Sequence, residues 1–353
     1  MIEYSPFLKF KSGELNALSK LFPDDRKNIV PLLELPRDDS YTEDRLITKI
    51  DKSVKKMKKD ITSVFSFYID NYEVPDVINI HGDDNYLYLI EAFKNFDIIP
   101  IIGFDRTETH NSIGINYANR NSKKIALRVT FDYFDSFLAY KKDLESFLND
   151  IKSDVSCIII LDCNYIDDSN VEIFGKNILK ALENIIGLER FNKIVLSGSS
   201  IPESIKTKVK TNTNAFINRN EVTLFKKIAS IYLKTPLVFG DYTVISPGYS
   251  ELNIEPELML NVMTSKIIYS LLDSHYITRG RVIKTYGYNQ YFSQAKDIIK
   301  KPFFRGIDYS WGDRYLFEKA TYGGTNITQS TIIGPEVNAH IKLMINEILS
   351  GSL

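Results

Sequence analysis

The sequence is short of several things that would narrow its chemistry at once. Of 353 residues only two are cysteine, Cys157 and Cys163, and only four are histidine. Two cysteines cannot build a disulfide framework. Their even spacing within one apolar run puts both on the same face of a strand, and a reduced, cytoplasmic setting is the simple reading. The histidines are scattered, without the spacing of a zinc motif. Charge of either sign is not in excess, with 44 Lys+Arg against 45 Asp+Glu, which argues against a general nucleic-acid or membrane-surface binder. No apolar run approaches the ~20 residues that span a bilayer. The opening MIEYSPFLKF lacks the charged-then-apolar layout of a signal peptide. No G-x-G-x-x-G follows a strand, and LSGSS is not a G-x-S-x-G elbow, so neither nicotinamide binding nor a serine nucleophile has support.

What the chain does have is rhythm. Short apolar runs (EYSPFLKF, NIVPLLEL, VFSFYID, DIIPIIGF, KIALRVTF, CIIILDCN, KIVLSGSS, PLVFGDY) alternate with longer amphipathic stretches, and together they make eight strands, each followed by a crossover. Near-continuous apolar strands between such helices imply a parallel sheet buried on both faces. Eight is the number for closure. The spacing predicts an α/β fold, a (β/α)8 TIM-like barrel over residues 1–247, with a doubly wound open sheet as the runner-up. Ser12 is placed to cap the first helix, and the lysine-rich KIDKSVKKMKKD reads as the solvated face of a helix turning Ile47, Ile50, Val54 and Met57 inward. After Pro247 the pattern changes. Residues 248–353 read as a C-terminal α+β extension packed on the barrel: an antiparallel hairpin (SKIIYSLL, HYITRGRVIK), then helices, with the single tryptophan, Trp311, expected to be largely buried. The aromatics of TYGYNQYF and FFRGIDYSW have few flanking lysines, which favours core or interface over a nucleic-acid stacking surface.

Each apolar run ends in polar residues. In a barrel the loops after the strands gather at one mouth, and sites sit there. Strand by strand these residues are Lys9 and Lys11, Glu34, Asp70, Asp105, Arg128, Asp162, Ser197 with Ser199, and Asp241, while Arg219 and Glu221 enter just before the eighth strand. Alternation allows Arg128 and Asp162 to face inward. Glu34, Asp162 and Asp241 are the candidate catalytic carboxylates. Lys9, Lys11, Asp70, Arg128, Ser197, Ser199, Arg219 and Glu221 are candidate ligand contacts. Lysine and arginine suit a phosphate or carboxylate ligand, Glu34, Asp70, Asp162 and Asp241 could hold Mg²⁺, and the turn after the seventh strand could cradle an anion. The competing reading gives these charges to structural ion pairs and helix caps. On the first reading Asp162→Asn acts on ligand binding more than on stability.

Several segments, in order, also carry a family resemblance: YSPFLKFKSGELNAL, IVPLLELP, IVLSGSSIP, RNEVTLF, PLVFGDY, RGR and SWGDRYLFEKA. The chain resembles the phage and bacterial "beta protein" family over nearly its whole length. That family often carries a Trp-Arg pair and a His-His-Ile run near the C-terminus. Here the Trp-Arg is missing and the run stands as Ala339-His340-Ile341. The resemblance implies a barrel-like fold and a phage-related or anti-phage-defence setting. Two functions follow as expectations: a barrel that binds, and could hydrolyse or transfer, a small anionic or phosphorylated ligand, or a non-enzymatic scaffold whose tail recognises a protein partner.

Overall fold

The computed structural model describes residues 3–61, 65–134, 137–184, 188–232, 234–248 and 261–353. The stretch 249–260, just past the boundary set at Pro247, lies outside the described residues, as does Val64 of the third predicted strand. Strands β1 (Tyr4–Lys9), β2 (Leu32–Glu34), β3 (Phe67–Asp70), β4 (Ile98–Ile102), β5 (Lys124–Thr130), β6 (Ser156–Tyr165), β7 (Phe191–Ser199) and β9 (Leu237–Asp241) form a closed parallel barrel. Closure is direct. β1 pairs with β9 through Tyr4 and Phe239, and with β2 through Phe7 and Leu32. An open sheet would have left β1 and β9 at opposite edges.

The strands are apolar throughout because both faces are buried. In β6, Ile158 and Ile160 join Phe7, Leu32, Tyr68, Ile101, Ala126, Val195 and Val238 in the barrel interior. Ile159 and Leu161 join the core between strands and helices. Cys157 and Cys163 are free thiols in that outer core. Two residues beyond the inner apolar layer, the same inward phase brings in Lys9, Glu34, Asp70, Arg128, Asp162 and Ser197, all buried. The barrel is thus an apolar plug topped by one polar layer.

Local predictions need two adjustments. The first helix, Ser12–Ser19, begins at Ser12 itself, with Lys11 as its N-cap residue and no side-chain cap. In the helix Glu43–Asp60, capped by Thr42, the buried stripe is Leu46, Ile50, Ser53 and Met57, with Ile47 and Val54 half-buried at its edge.

The expected hairpin is present as β10 (Thr264–Ser270) and β11 (Ser274–Val282). It has a third strand that the sequence reading ran past. β8 (Thr213–Asn218) leaves the chain between β7 and β9 and pairs antiparallel with β11, from Thr213 opposite Arg279 to Asn218 opposite Ser274. Helices Gln290–Ile299 and Trp311–Tyr322 pack with this sheet around Tyr269, Tyr291, Ile298 and Leu316. The last helix, Gln329–Leu349, lies between sheet and barrel. Its Val337, Ile341, Met344 and Ile345 enter the barrel's outer core, Asn338 Nδ2 donates to the Ala17 carbonyl (3.0 Å), and Lys342 pairs with Asp25 (2.7 Å). No helix among the described residues is long and apolar enough to cross a membrane.

Trp311 departs from expectation. It is half-buried, and its ring lies over Gly334 of the last helix, beside Tyr315. The tail grips the barrel through the last helix, and Trp311 packs on that helix from the other side. Its neighbour Gly312 is where the two helices meet most closely. A Cβ there would stand 2.0 Å from the Pro335 carbonyl oxygen and 2.8 Å from Ala339 Cβ. Gly312→Ala should therefore force the helices apart and cost about 1–3 kcal/mol. Thermal melting should fall and the Trp311 emission should shift to the red. An unchanged melt and spectrum would show that the contact bears no weight.

Candidate functional site

Arg128 is the centre of the polar layer. Its Nε and Nη2 donate to Asp162 Oδ2 (3.0 and 2.6 Å), Nη1 to Glu34 Oε2 (3.0 Å) and Asp70 Oδ2 (2.8 Å), and Nη2 also to the Tyr242 hydroxyl (3.1 Å). Those contacts use all five donors of the guanidinium. Tyr242 in turn donates to Asp162 Oδ2 at 2.6 Å. Lys9 pairs with the other Glu34 oxygen (3.2 Å), and Arg106 with both oxygens of Asp70 (3.1 and 3.0 Å). Backbone N–H groups complete the set: Asp162 Oδ1 accepts that of Asn164, and Asp70 Oδ1 that of Asn71 as well as Arg106. The Tyr72 ring covers both guanidinium groups, 4.5 Å from Arg106 and 4.7 Å from Arg128, while Phe7 lies 5.6 Å from Arg128 within the barrel.

Three cations (Lys9, Arg106, Arg128) thus meet three carboxylates (Glu34, Asp70, Asp162), and the exposure of Arg128 is 2%. Burial alone would raise the Asp70 carboxyl, but Arg106 and Arg128 hold it below the usual carboxylate range. Of the carboxylates named for Mg²⁺, Glu34, Asp70 and Asp162 are occupied by these donors. Among the described residues no group of three His, Cys, Asp or Glu side chains is placed to hold a metal ion. Ser197 faces into the same layer, and its buried hydroxyl has no hydrogen-bond partner among the described residues. Ser199 is tied to the β9 loop, its hydroxyl donating to the Ile245 carbonyl (3.3 Å).

Asp241, Arg219 and Glu221 are elsewhere, which corrects the expectation of one shared mouth. In β9 the inward phase runs through Val238 and on to Tyr242, so Asp241 faces out of the barrel. There its Oδ1 accepts from the Tyr4 hydroxyl (2.5 Å) and the Thr243 N–H (2.9 Å). Its Oδ2 accepts from Arg219 Nη2 (2.6 Å) and His340 Nε2 (2.8 Å). Arg219, 0% exposed, also pairs with Glu221 (2.7 Å) and donates to the carbonyls of Leu271 and Leu272 in the tail. Since His340 donates through Nε2, its Nδ1 accepts from the Ser270 hydroxyl (2.7 Å), which accepts from His275 Nδ1 (3.0 Å). Burial alone would raise the Asp241 carboxyl, yet His340, Arg219 and Tyr4 hold it well below the usual range; burial lowers both histidines. This chain of bonds rivets the tail to the barrel. The sequence marked Arg219, Glu221 and Asp241 but gave no sign that their partner would be His340.

Open space lies beside the sealed layer. A cleft of about 550 Å³ is walled by Lys11 and the first turn of the helix after β1 (Ser12 to Glu14) and by the loops after β7 (Ile201 to Glu203) and β9 (Val244 to Ser246), and the tail covers it with Lys266, Ser330 and Ile333. Of the candidate site residues named from sequence, Lys11 alone lines it. Lys49 leaves the solvated face of its helix to reach the cleft, its ammonium donating to the Phe10 carbonyl. Glu14, the third residue of the first helix, is buried and accepts the Lys9 N–H. Burial pushes its carboxyl up to about 7 against the pull of that N–H and of Lys11. Burial lowers the amines of Lys11 and Lys49, and each feels another lysine: Lys9 beside Lys11, and Lys11 beside Lys49. Burial also lowers Lys266, whose ammonium makes no hydrogen bond or ion pair within 4 Å among the described residues; Glu336 beside it is pushed up to about 8 by burial. Lys49, Lys266 and Glu14 were not marked from sequence, and for Lys266 no signal existed until the tail was docked.

No curated protein matches the chain. Among solved structures, triosephosphate isomerase from Bartonella henselae is similar at 13% identity over 67% of this chain and 91% of that one, with a TM-score of 0.33. The enoyl reductase domain of MlnA from the Bacillus amyloliquefaciens macrolactin cluster is similar at 9% identity over 98% and 81%, with a TM-score of 0.36. The barrel itself stands on the strand pairing described above. The family comparison is of another order: the Beta protein family model matches residues 4–346, and the chain belongs to that family.

Proposed function

We propose that the protein binds a small anionic ligand, of phosphate- or sulfate-like chemistry, in the cleft beside the barrel mouth. The observation that carries this is the convergence of Lys11, Lys49 and Lys266 on one cleft of about 550 Å³ in a chain whose net charge is −1. Ammonium groups that are partly desolvated and near one another are costly, and a bound anion relieves both terms. Two of the walls are the loops after the seventh and eighth barrel strands, where barrels of this architecture commonly bind phosphate. The Arg128 layer supports a different role for the mouth centre, that of a self-neutralised plug on which the cleft is built. We read the protein as phage- or defence-associated on the family resemblance alone, and as cytoplasmic on its free, buried thiols.

Sulfate is the probe of choice because it does not titrate between pH 5 and 9. Calorimetry should show sulfate binding that weakens as pH rises through about 7, where Glu14 ionises beside the ligand; Lys9, Lys11 and Glu34 are the charges that act on it. Glu14→Gln should flatten that dependence. Lys49→Gln should weaken binding about tenfold, the worth of one charge-assisted hydrogen bond. Sulfate affinity unchanged in both Lys49→Gln and Lys266→Gln would overturn the proposal.

A further inference from the structure

The cleft does not end at its lysines. Lys11 and Lys49 also line a second trough, of about 580 Å³. The two spaces are lined differently. The walls of the first carry Ile201, Pro202, Val244, Ile245 and Ile333 among its lysines and the carboxyls of Glu14 and Glu203. The second is lined by Arg37, Arg45, Lys52 and the Tyr41 ring, with Asp38 and Asp44. Its charges are unevenly spent. Arg37 pairs with Asp39 (2.8 Å), and Asp38 accepts from the Ser40 N–H and hydroxyl. Arg45 gives one bond to the Ser40 carbonyl (3.1 Å), and neither Arg45 nor Lys52 makes an ion pair within 4 Å among the described residues. A chamber with aliphatic walls and Lys266 on its cover, a pair of lysines lining both spaces and a trough with Arg45 and Lys52 therefore adjoin one another.

We propose that the ligand is a nucleoside triphosphate, with its heterocycle in the tail-covered cleft, its first phosphate at Lys11 and Lys49, and its terminal phosphates facing Arg45 and Lys52. This rests on the reading of the first cleft as an anion site and adds the class of ligand. An orthophosphate or a sugar phosphate would leave the apolar walls of Ile201, Val244 and Ile333 against water. A nucleoside monophosphate would leave the trough empty. A heterocycle buries well against such aliphatic walls, and its phosphate chain bridges the two spaces without a second binding event.

The test uses the full chain and calorimetry with adenosine and guanosine mono- and triphosphates, alongside sulfate. For at least one base the triphosphate should bind about tenfold tighter than the monophosphate, as two charge-assisted contacts at exposed positions allow. The double variant R45Q/K52Q, whose side chains stand on the surface of the helix Glu43–Asp60 and should leave the melt unchanged, should narrow that ratio to about twofold. Equal affinities for mono- and triphosphate, or a ratio untouched by the double variant, would exclude the trough. Sulfate binding with no response to any of the four nucleotides would reject the ligand class and leave the anion site standing. Failure of sulfate as well would remove the anion site itself.

Discussion

Arg128→Met should lower the stability of the folded chain by about 3–5 kcal/mol, the usual cost of leaving buried charges without their partner. In a chain of this size that is a fall in Tm of roughly 4–7 °C. Glu34, Asp70 and Asp162 would remain in the top layer with Lys9 and Arg106 alone to balance them. The loss has a signature in pH. In the native protein Arg106 and Arg128 hold the folded Asp70 carboxyl low, so its contribution is present above the unfolded value of about 4 and fades only as pH falls through the lower folded value. In the variant Asp70 keeps only Arg106 against its burial, and its folded carboxyl rises. A group raised in the folded state favours folding at low pH and penalises it as pH rises. The gap between wild type and Arg128→Met should therefore narrow from pH 7 toward pH 5. Chemical denaturation at both values measures it, and a gap under about 1 kcal/mol, or one that does not change with pH, would refute the plug. Asp162→Asn belongs with it: it takes a charged acceptor from two Arg128 donors and from Tyr242, so its main effect should be on stability.

Much of this architecture was legible before any coordinates. Eight apolar runs with crossovers gave the barrel and the neighbours of β1, because a strand buried on both faces has no other economical reading. Parity was harder. Asp162 and Asp241 both follow apolar runs, yet Asp162 faces in and Asp241 faces out. When both faces of a strand are apolar, hydrophobicity does not mark which phase is inward, and a shift of one residue exchanges the faces. The end of the run was visible, and its direction was not. β8 was invisible for a plainer reason: Thr213–Asn218 lies at a sheet edge, half or fully exposed, without apolar alternation. Lys49 was read with the solvated lysines of its helix, as its spacing suggests. Its long stem carries the ammonium to the Phe10 carbonyl, a reach that helical periodicity does not encode. The cleft was beyond the sequence altogether, since its cover of Lys266, Ser330 and Ile333 exists only where the tail has docked.

A chain ending at Arg305 should not persist as a folded monomer. The cut removes the last helix, whose Val337, Ile341 and Met344 are 0% exposed and whose Ile345 is nearly so. At about 1.5–3 kcal/mol for each side chain, their burial is worth on the order of 6–12 kcal/mol, an upper estimate that already rivals the ~5–15 kcal/mol by which whole domains are stable. Polar losses add to it. Asp241 loses His340, the Ile268 N–H loses Glu336, and Tyr269 loses the Asp313 carboxylate that its hydroxyl meets at 2.5 Å. What remains exposes the apolar face of the first helix, including Leu15 and Leu18, together with the surface of the β10–β11 hairpin. Size-exclusion chromatography and melting should show aggregation, low yield or a collapsed transition. A truncated chain that stays monomeric with an unchanged Tm would make the tail a separate module. The cleft roofed by Lys266 and Ile333 would then be incidental, and recognition of a protein partner by the tail would be the better account of its aromatics around Trp311. The buried path from Tyr4 through Asp241 and His340 to Ser270 argues for the opposite result, because it is satisfied only while the tail is in place.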